Sequence, residues 1–321
     1  MSGIHQTVIR QMSNCHKYSI FVIYFAAYWT EKTFQYCFLC ISETVSMIPP
    51  IVLDVKPHHK VLDMCAAPGS KTAQLIEAIH AEEDVVPKGL VVANDSDNSR
   101  CYMLVHQAKR LQSPAVIITN HDASIMPNMK ITDPKNPNEK VNLRFDRILC
   151  DVPCSGDGTL RKNADIWPKW SAAIGLNLHG IQYRILKRGI ELLEVGGRLV
   201  YSTCSLNPVE DEAVIQKILL EAGKDNLVLE DATSLVPGLK FTPGLSSWKV
   251  SHKGGDLFSK WADVDEKFYS HVRPSMVIFL IHFLIEMIDW DSMGFYYFYC
   301  MIVMRGCEGE TFFLYCIFCI L

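Results

Sequence analysis

The sequence has no GxGxxG run and no GxxxxGK[ST] loop, which sets aside the commonest dinucleotide and nucleoside-triphosphate cradles. It has no excess of positive charge. Lys and Arg number 31 against 35 Asp and Glu, a net −4, which argues against a surface given over wholly to nucleic acid but allows a basic groove. No apolar stretch reaches the roughly 18–20 uncharged residues that a membrane-spanning helix needs. Glu286, Asp289 and Asp291 interrupt the longest one, so no membrane partner is expected. Internal repeats and low-complexity tracts are missing. No secretory signal is read at the N-terminus, and the 12 cysteines lack regular spacing. A disulfide scaffold is thereby excluded and a reducing compartment expected.

What is present divides by composition into three parts. Residues 1–44 are aromatic and Cys-rich without a clean period; 45–276 alternate apolar runs with helix and turn signals; 277–321 turn apolar and aromatic again. The middle part reads as an α/β domain. Five strands are expected, at 60–64, 89–95, 115–122, 146–151 and 197–204. Between them QLIEAIH, RCYMLVHQAKRL and YRILKRGIELL carry apolar residues at helical spacing. Continuous apolar strands alternating with such helices predict a doubly wound, mostly parallel Rossmann-like sheet, whose ligands bind beyond the carboxyl ends of the strands.

Those ends hold the special residues. The first strand runs into Cys65-Ala66-Ala67-Pro68-Gly69-Ser70-Lys71-Thr72 and then a helix. Small residues there let a ligand approach the backbone, and the helix N-terminus offers free amides, although any tight strand-to-helix turn reads the same way. Asp95 ends the second strand and suits two ribose hydroxyls, and Asp122 ends the third and suits an adenine edge. Either carboxylate alone is as well explained by a turn or a helix cap. Together with the loop they favour a nucleoside-containing cofactor.

The fourth strand leads to Asp151-Val152-Pro153-Cys154-Ser155-Gly156 and the fifth to Ser202-Thr203-Cys204-Ser205. Neighbouring strands would bring both thiols to one crevice. Cytosine C5 is a poor nucleophile, and addition of a thiolate at C6 makes it enamine-like, which is covalent catalysis. A carboxyl group near N3 and N4 then stabilises charge on the ring. One Asp and two Cys supply such a set. Two buried cysteines in polar turns are the plainer account of the same residues.

The stretches DMCAAPGSKT, DVPCSGDGT and YSTCSLNPVEDEAV resemble the Sun-domain RNA cytosine-5 methyltransferases over about residues 44–276, and HVRPSM and VHQAKRL look most like the eukaryotic multisite tRNA branch. The resemblance implies a class I fold using S-adenosyl-L-methionine, held by Cys65, Ala66, Ala67, Pro68, Gly69, Ser70, Lys71, Asp95, Asp122 and Asp151. It implies Cys204 as nucleophile, Cys154 as the residue assisting product release, and Asp151 as a cytosine contact. DNA cytosine-5 methyltransferases attack with the PC cysteine and lack the TC motif, so both motifs together favour RNA. A monomer acting on tRNA in the nucleus, nucleolus included, follows from the resemblance, with the cytoplasm open. Ribosomal or messenger RNA, or a truncated product that binds without turnover, are the competing readings.

A paired cytosine must be extruded to reach such a crevice. Arg161, Lys162 and Lys169 beside Trp167 and Trp170 suggest an RNA-binding lip, unless the tryptophans anchor the next helix in the core. Arg184, Lys187 and Arg188 extend a basic rim or form a solvated helix face. The segment 124–144 reads as a solvated insertion, and His58 and His59 as surface residues. Cys37/Cys40 and Cys316/Cys319 form two CxxC pairs, but their apolar surroundings lack knuckle glycines and no metal is expected. Residues 277–321 lack the Gly-Gly-Phe-Phe strand with which the family completes its sheet. An incomplete C-terminal edge and reduced stability are therefore expected.

Overall fold

The computed structural model describes residues 45–277, apart from 83–85, 134, 161–162, 224–225, 232, 238, 240–243 and 253–254, together with 285–286, 298–306 and 316–320. The main sheet is built from β1 (Lys60–Asp63), β2 (Leu90–Asp95), β3 (Val116–Asn120), β4 (Phe145–Asp151), β5 (Leu193–Thr203), β6 (Leu227–Leu229), β7 (Ile285–Glu286), β8 (Phe298–Gly306) and β9 (Cys316–Ile320). Helices are α1 (Ile48–Leu53), α2 (Ser70–Ile79), α3 (Asn98–Arg110), α4 (Ala172–Leu192), α5 (Glu212–Ala222) and α6 (Pro274–Val277). Strand order is β7-β9-β8-β5-β4-β1-β2-β3, with β6 also paired to β8. The five strands β5-β4-β1-β2-β3 are parallel, as expected, and their order is that of a Rossmann-like doubly wound sheet.

Strand periodicity explains how one sheet serves two cores. Leu62, Met64, Ile148, Cys150, Leu199 and Tyr201 point to one face, against Ile185 and Leu186 of α4 and Val214, Ile215 and Ile218 of α5. The alternate residues Val61, Val91, Leu149 and Val200 face α1, α2 and α3 through Val52, Leu53, Leu75, Ile76, Ile79 and Ala108. Strands buried on both faces are apolar throughout, which is why they could be read from the sequence. Helix α4 comes unusually close at Gly189, where a Cβ would meet Leu199, Met64 and Cys150 at 3.0–3.1 Å. Helix α3 is capped by the Asp97 carboxylate, which accepts from the Arg100 N–H at 3.0 Å.

Two expectations are corrected. The sheet edge beside β5 is covered, because β8 runs antiparallel to it with Cys300 opposite Thr203 and Arg305 opposite Arg198. Met304 is fully buried in the α4/α5 core. An apolar, aromatic segment without the family's glycines can still supply backbone pairing, which does not depend on side-chain identity. His59 is buried rather than exposed: its Nδ1 accepts the Lys56 N–H at 3.0 Å, and burial pulls its pKa down to about 4. The segment 124–144 contains a two-stranded hairpin, Lys130–Thr132 with Lys140–Asn142, whose residues are mostly exposed. Among the described residues no helix is long and apolar enough to cross a membrane.

Candidate active site

The turn after β1 is pinned to the end of β2. Ala66 N–H donates to Asn94 O at 2.8 Å, Ala67 N–H to Asp95 Oδ2 at 3.1 Å, and Asn94 Nδ2 to Met64 O at 3.1 Å. Gly69 precedes α2 with φ +111°, a conformation that favours glycine, and a Cβ there would also meet Leu104 at 3.0 Å. Cys65, Ala66, Ala67 and Pro68 thus form a tight turn aimed at the strand ends, with Ser70 and Lys71 opening α2. Burial pushes the Cys65 thiol well up, so it stays protonated. Asp95 is 2% exposed; its second oxygen accepts the Asp97 N–H at 3.0 Å, and Arg100 approaches at 3.7 Å. Asp122 is placed differently from the sequence reading. Strand β3 stops at Asn120, and the Asp122 carboxylate is an exposed cap accepting the Ser124 N–H at 2.8 Å.

Strands β4 and β5 are neighbours in register, Asp151 opposite Ser202, so their carboxyl ends present the Pro-Cys and Thr-Cys turns side by side. Cys154 Sγ and Cys204 Sγ are 3.2 Å apart, and the Cys204 N–H points at Cys154 Sγ at 3.3 Å. The hydrogen bond to Cys204, with burial, raises the Cys154 thiol well above its ordinary range. Either thiol can act as the donor across this contact. Asp151 stands at the base of the crevice, accepting from Lys71 Nζ at 2.7 Å and Ser202 Oγ at 2.8 Å.

Two carboxyl groups escaped the sequence reading. Asp63 ends β1 immediately below the turn, 1% exposed, with one oxygen taking the Thr72 hydroxyl at 2.7 Å and the other without a hydrogen-bond partner among the described residues. Burial lifts its pKa to about 7. An acidic residue closing a strand just before the small-residue turn was its legible signal. Glu210 is fully buried beneath both cysteine turns; it sits in the Asn-Pro-Val-Glu-Asp-Glu stretch, where neighbouring acids look like a solvated run.

The basic and aromatic residues separate on inspection. Trp167 and Trp170 are surface residues, 66% and 39% exposed, and not core anchors. Their segment lies against the Pro-Cys turn, since a Cβ on Gly156 would meet Ile166 at 3.3 Å. Arg161 and Lys162 lie outside the described residues; Lys169 is exposed. Lys187 pairs with Glu221 at 3.3 Å and Arg188 with Glu191 at 2.7 Å, so both serve the helix surface, while Arg184 is exposed. Cys37 and Cys40, and the side chains of Cys316 and Cys319, lie outside the described residues. Among those described, no group of three His, Cys, Asp or Glu could hold a metal ion.

A buried carboxylate at the β2 end, a glycine turn entering a helix and an orphaned carboxyl oxygen fit a ribose-bearing ligand in chemistry. Comparisons with known proteins agree with this arrangement. The profile of the family described as 16S rRNA methyltransferase RsmB/F matches residues 50–253. A tRNA (cytosine(34)-C(5))-methyltransferase of Drosophila melanogaster is 63% identical over 238 residues, 73% of this chain and 32% of its own. A multisite-specific tRNA:(cytosine-C(5))-methyltransferase of Saccharomyces cerevisiae is 57% identical over 209 residues, 65% of this chain and 30% of its own. The chain thus spans about a third of the length of these relatives. Among solved structures, that of NSun6 from Pyrococcus horikoshii with SFG has a TM-score of 0.50 at 26% identity, covering 62% of this chain and 46% of that one.

Proposed function

The chain belongs to the RsmB/F methyltransferase family, and from that premise we propose that it transfers a methyl group from S-adenosylmethionine to C5 of cytosine in tRNA through a covalent bond to Cys204. The observation that carries the reading is the pair of thiols 3.2 Å apart beside an Asp151 tethered by Lys71. When bound, S-adenosylmethionine supplies an electrophilic methyl on a sulfonium centre. The turn 65–71 and Asp95 are the groups that would hold it.

This chain's own residues account for the rest. The Cys204 thiol gives up its proton to solvent, its sulfur forms a bond to C6, and the C5–C6 π pair shifts to C5 and makes it nucleophilic. Asp151 receives the exocyclic amine side of the ring, and the Lys71 ammonium offsets charge there. After methylation the C5 proton passes to water, the C6–S bond breaks and the ring regains its aromaticity. Cys154, 3.2 Å from Cys204, passes a proton to the departing sulfur and takes one back from water. The order of roles, attack by Cys204 and release assisted by Cys154, is the one implied by the two motifs. Trp167 and Trp170 offer faces on which bases flanking an extruded cytosine can stack. A monomer working in the nucleus is part of the proposal, supported by the family resemblance.

The test is a trapping assay. Protein and its Cys154→Ala variant are incubated with tRNA and S-adenosylmethionine and resolved on a denaturing gel. A methylation-dependent adduct in Cys154→Ala that is lost on further Cys204→Ala substitution supports the mechanism. Folded protein that yields neither adduct nor methyl transfer overturns it and leaves binding without turnover. The family description favours a second substrate reading, ribosomal RNA. Parallel reactions on purified tRNA and ribosomal RNA separate the two.

A further inference from the structure

Glu210 is a fully buried carboxylate with no ion-pair partner among the described residues. An anion so placed is costly unless hydrogen bonds replace its water. Its two oxygens receive five donors. Oε1 accepts from Ser155 N–H at 2.8 Å and Gln182 Nε2 at 3.0 Å. Oε2 accepts from Ser155 Oγ at 2.5 Å, Ser205 Oγ at 3.0 Å and Asn207 Nδ2 at 3.2 Å.

The donors are not scattered. Ser155 follows Cys154 in the chain, and Ser205 follows Cys204. A single carboxylate therefore grips the residue next to each thiol, and the two serine hydroxyls lie 3.2 Å apart, matching the thiols above them. Gln182 Nε2 also donates to Pro153 O at 3.0 Å, fixing the residue before Cys154. Glu210 is itself anchored, since its carbonyl accepts the Tyr201 hydroxyl at 2.6 Å. Gly175 leaves the room this needs; a Cβ there would stand 2.1 Å from Asn207 Nδ2 and 2.8 Å from Glu210 Oε2.

We propose that Glu210 is a positioning residue for the two-thiol centre, setting the separation of Cys154 and Cys204 by tying the turns that carry them. The effect falls on the release step, and in that respect the inference rests on the covalent mechanism proposed above. A buried glutamate that merely filled space would support the fold without influencing how two sulfurs meet.

The experiment compares the full chain, Glu210→Gln, Glu210→Asp, Ser205→Ala and Cys154→Ala. One readout uses no RNA: the rate at which diamide joins Cys154 to Cys204, followed by peptide mass spectrometry on protein shown by circular dichroism to be folded. The other is the methylation-dependent adduct with tRNA. Loss of one charge-assisted hydrogen bond predicts disulfide formation about tenfold slower in Glu210→Gln. Adduct should accumulate as in Cys154→Ala, and Glu210→Asp should fall between Glu210→Gln and the parent. If Glu210→Gln does not fold, Ser205→Ala removes one of the ties and is read in the same way. Unchanged thiol pairing in folded variants overturns the inference, as does a lowered unfolding temperature with turnover per folded molecule unaltered. Absence of adduct even in Cys154→Ala counts against the covalent mechanism, while the thiol-pairing rates still decide the role of Glu210.

Discussion

Cys154 Sγ lies 3.2 Å from Cys204 Sγ, although fifty residues separate them in the chain. The two belong to turns at the ends of adjacent parallel strands and lie within hydrogen-bond reach of each other. A disulfide needs an S–S distance of about 2.05 Å, so a closure of about 1 Å would join them. Diamide should do so: two S–H bonds break, an S–S bond forms, and both hydrogens pass to the azo group. Methyl transfer should stop and return with dithiothreitol. Peptide mapping that finds both thiols still free after treatment with excess diamide would refute the expectation.

Lys71 and Asp151 form a pair with side chains only 12% and 23% exposed. Substituting Lys71→Met leaves that carboxylate without its cation in a half-desolvated crevice. Breaking such a pair should cost about 2 kcal/mol of stability, less than the 3–5 kcal/mol of a fully buried one. Single-turnover methylation should slow about a hundredfold, the scale of one lost electrostatic contact to a charged transition state. Urea unfolding and rapid-quench labelling measure the two effects. A normal rate in a folded variant would remove Lys71 from the site.

His179 gives a pH signature. Its ring is fully buried between Val209 O at 2.7 Å and Ser275 Oγ at 3.0 Å, and burial lowers its pKa from 6.5 to about 4. The folded state thus favours the neutral ring. Its contribution is complete above about pH 6.5 and is lost as pH falls through 4, about 3 kcal/mol in all. Asp63 and Glu212, raised to about 7 by burial, act in the opposite sense, their contributions being present at low pH and lost as pH rises through 7. These cancel in a comparison of the parent with His179→Gln. The stability difference between those two proteins should shrink by about 3 kcal/mol from pH 7 to pH 4; a constant difference would contradict the linkage.

Strand β8 should be required for solubility. A chain ending at Val277 exposes the β5 edge, and open edges recruit other strands. It should scatter light on mild warming and unfold well below the parent temperature. Met304→Asp, which places a charge where the side chain is fully buried, should destabilise by about 3 kcal/mol or more without removing the strand. Equal unfolding temperatures for the parent and the shortened chain would show that the edge needs no cover.

Legibility followed how local each signal is. Strands β1, β2, β4 and β5 were readable within a few residues, since strands buried on both faces are continuous apolar runs. Cys154, Cys204 and Asp151 were readable because their motifs stand directly after those runs. Asp122 was read as the end of β3, but that strand is a partly exposed edge that stops at Asn120, and its last residues give no apolar mark. His59 looked like a surface histidine beside another, and only its hydrogen bond within a buried turn says otherwise.

The class of fold, the family and the motifs carrying Asp151, Cys154 and Cys204 can be read from the chain alone, because each depends on residues close together in it. Only the folded chain shows how closely the two sulfurs approach, which carboxylate ties the two turns and what covers the β5 edge. Glu210 is one acid among several in its stretch until β4, β5 and α4 converge and it becomes the acceptor for five donors. The pairing of β8 with β5 joins segments about a hundred residues apart through backbone groups, which every residue but proline carries and no side-chain pattern announces.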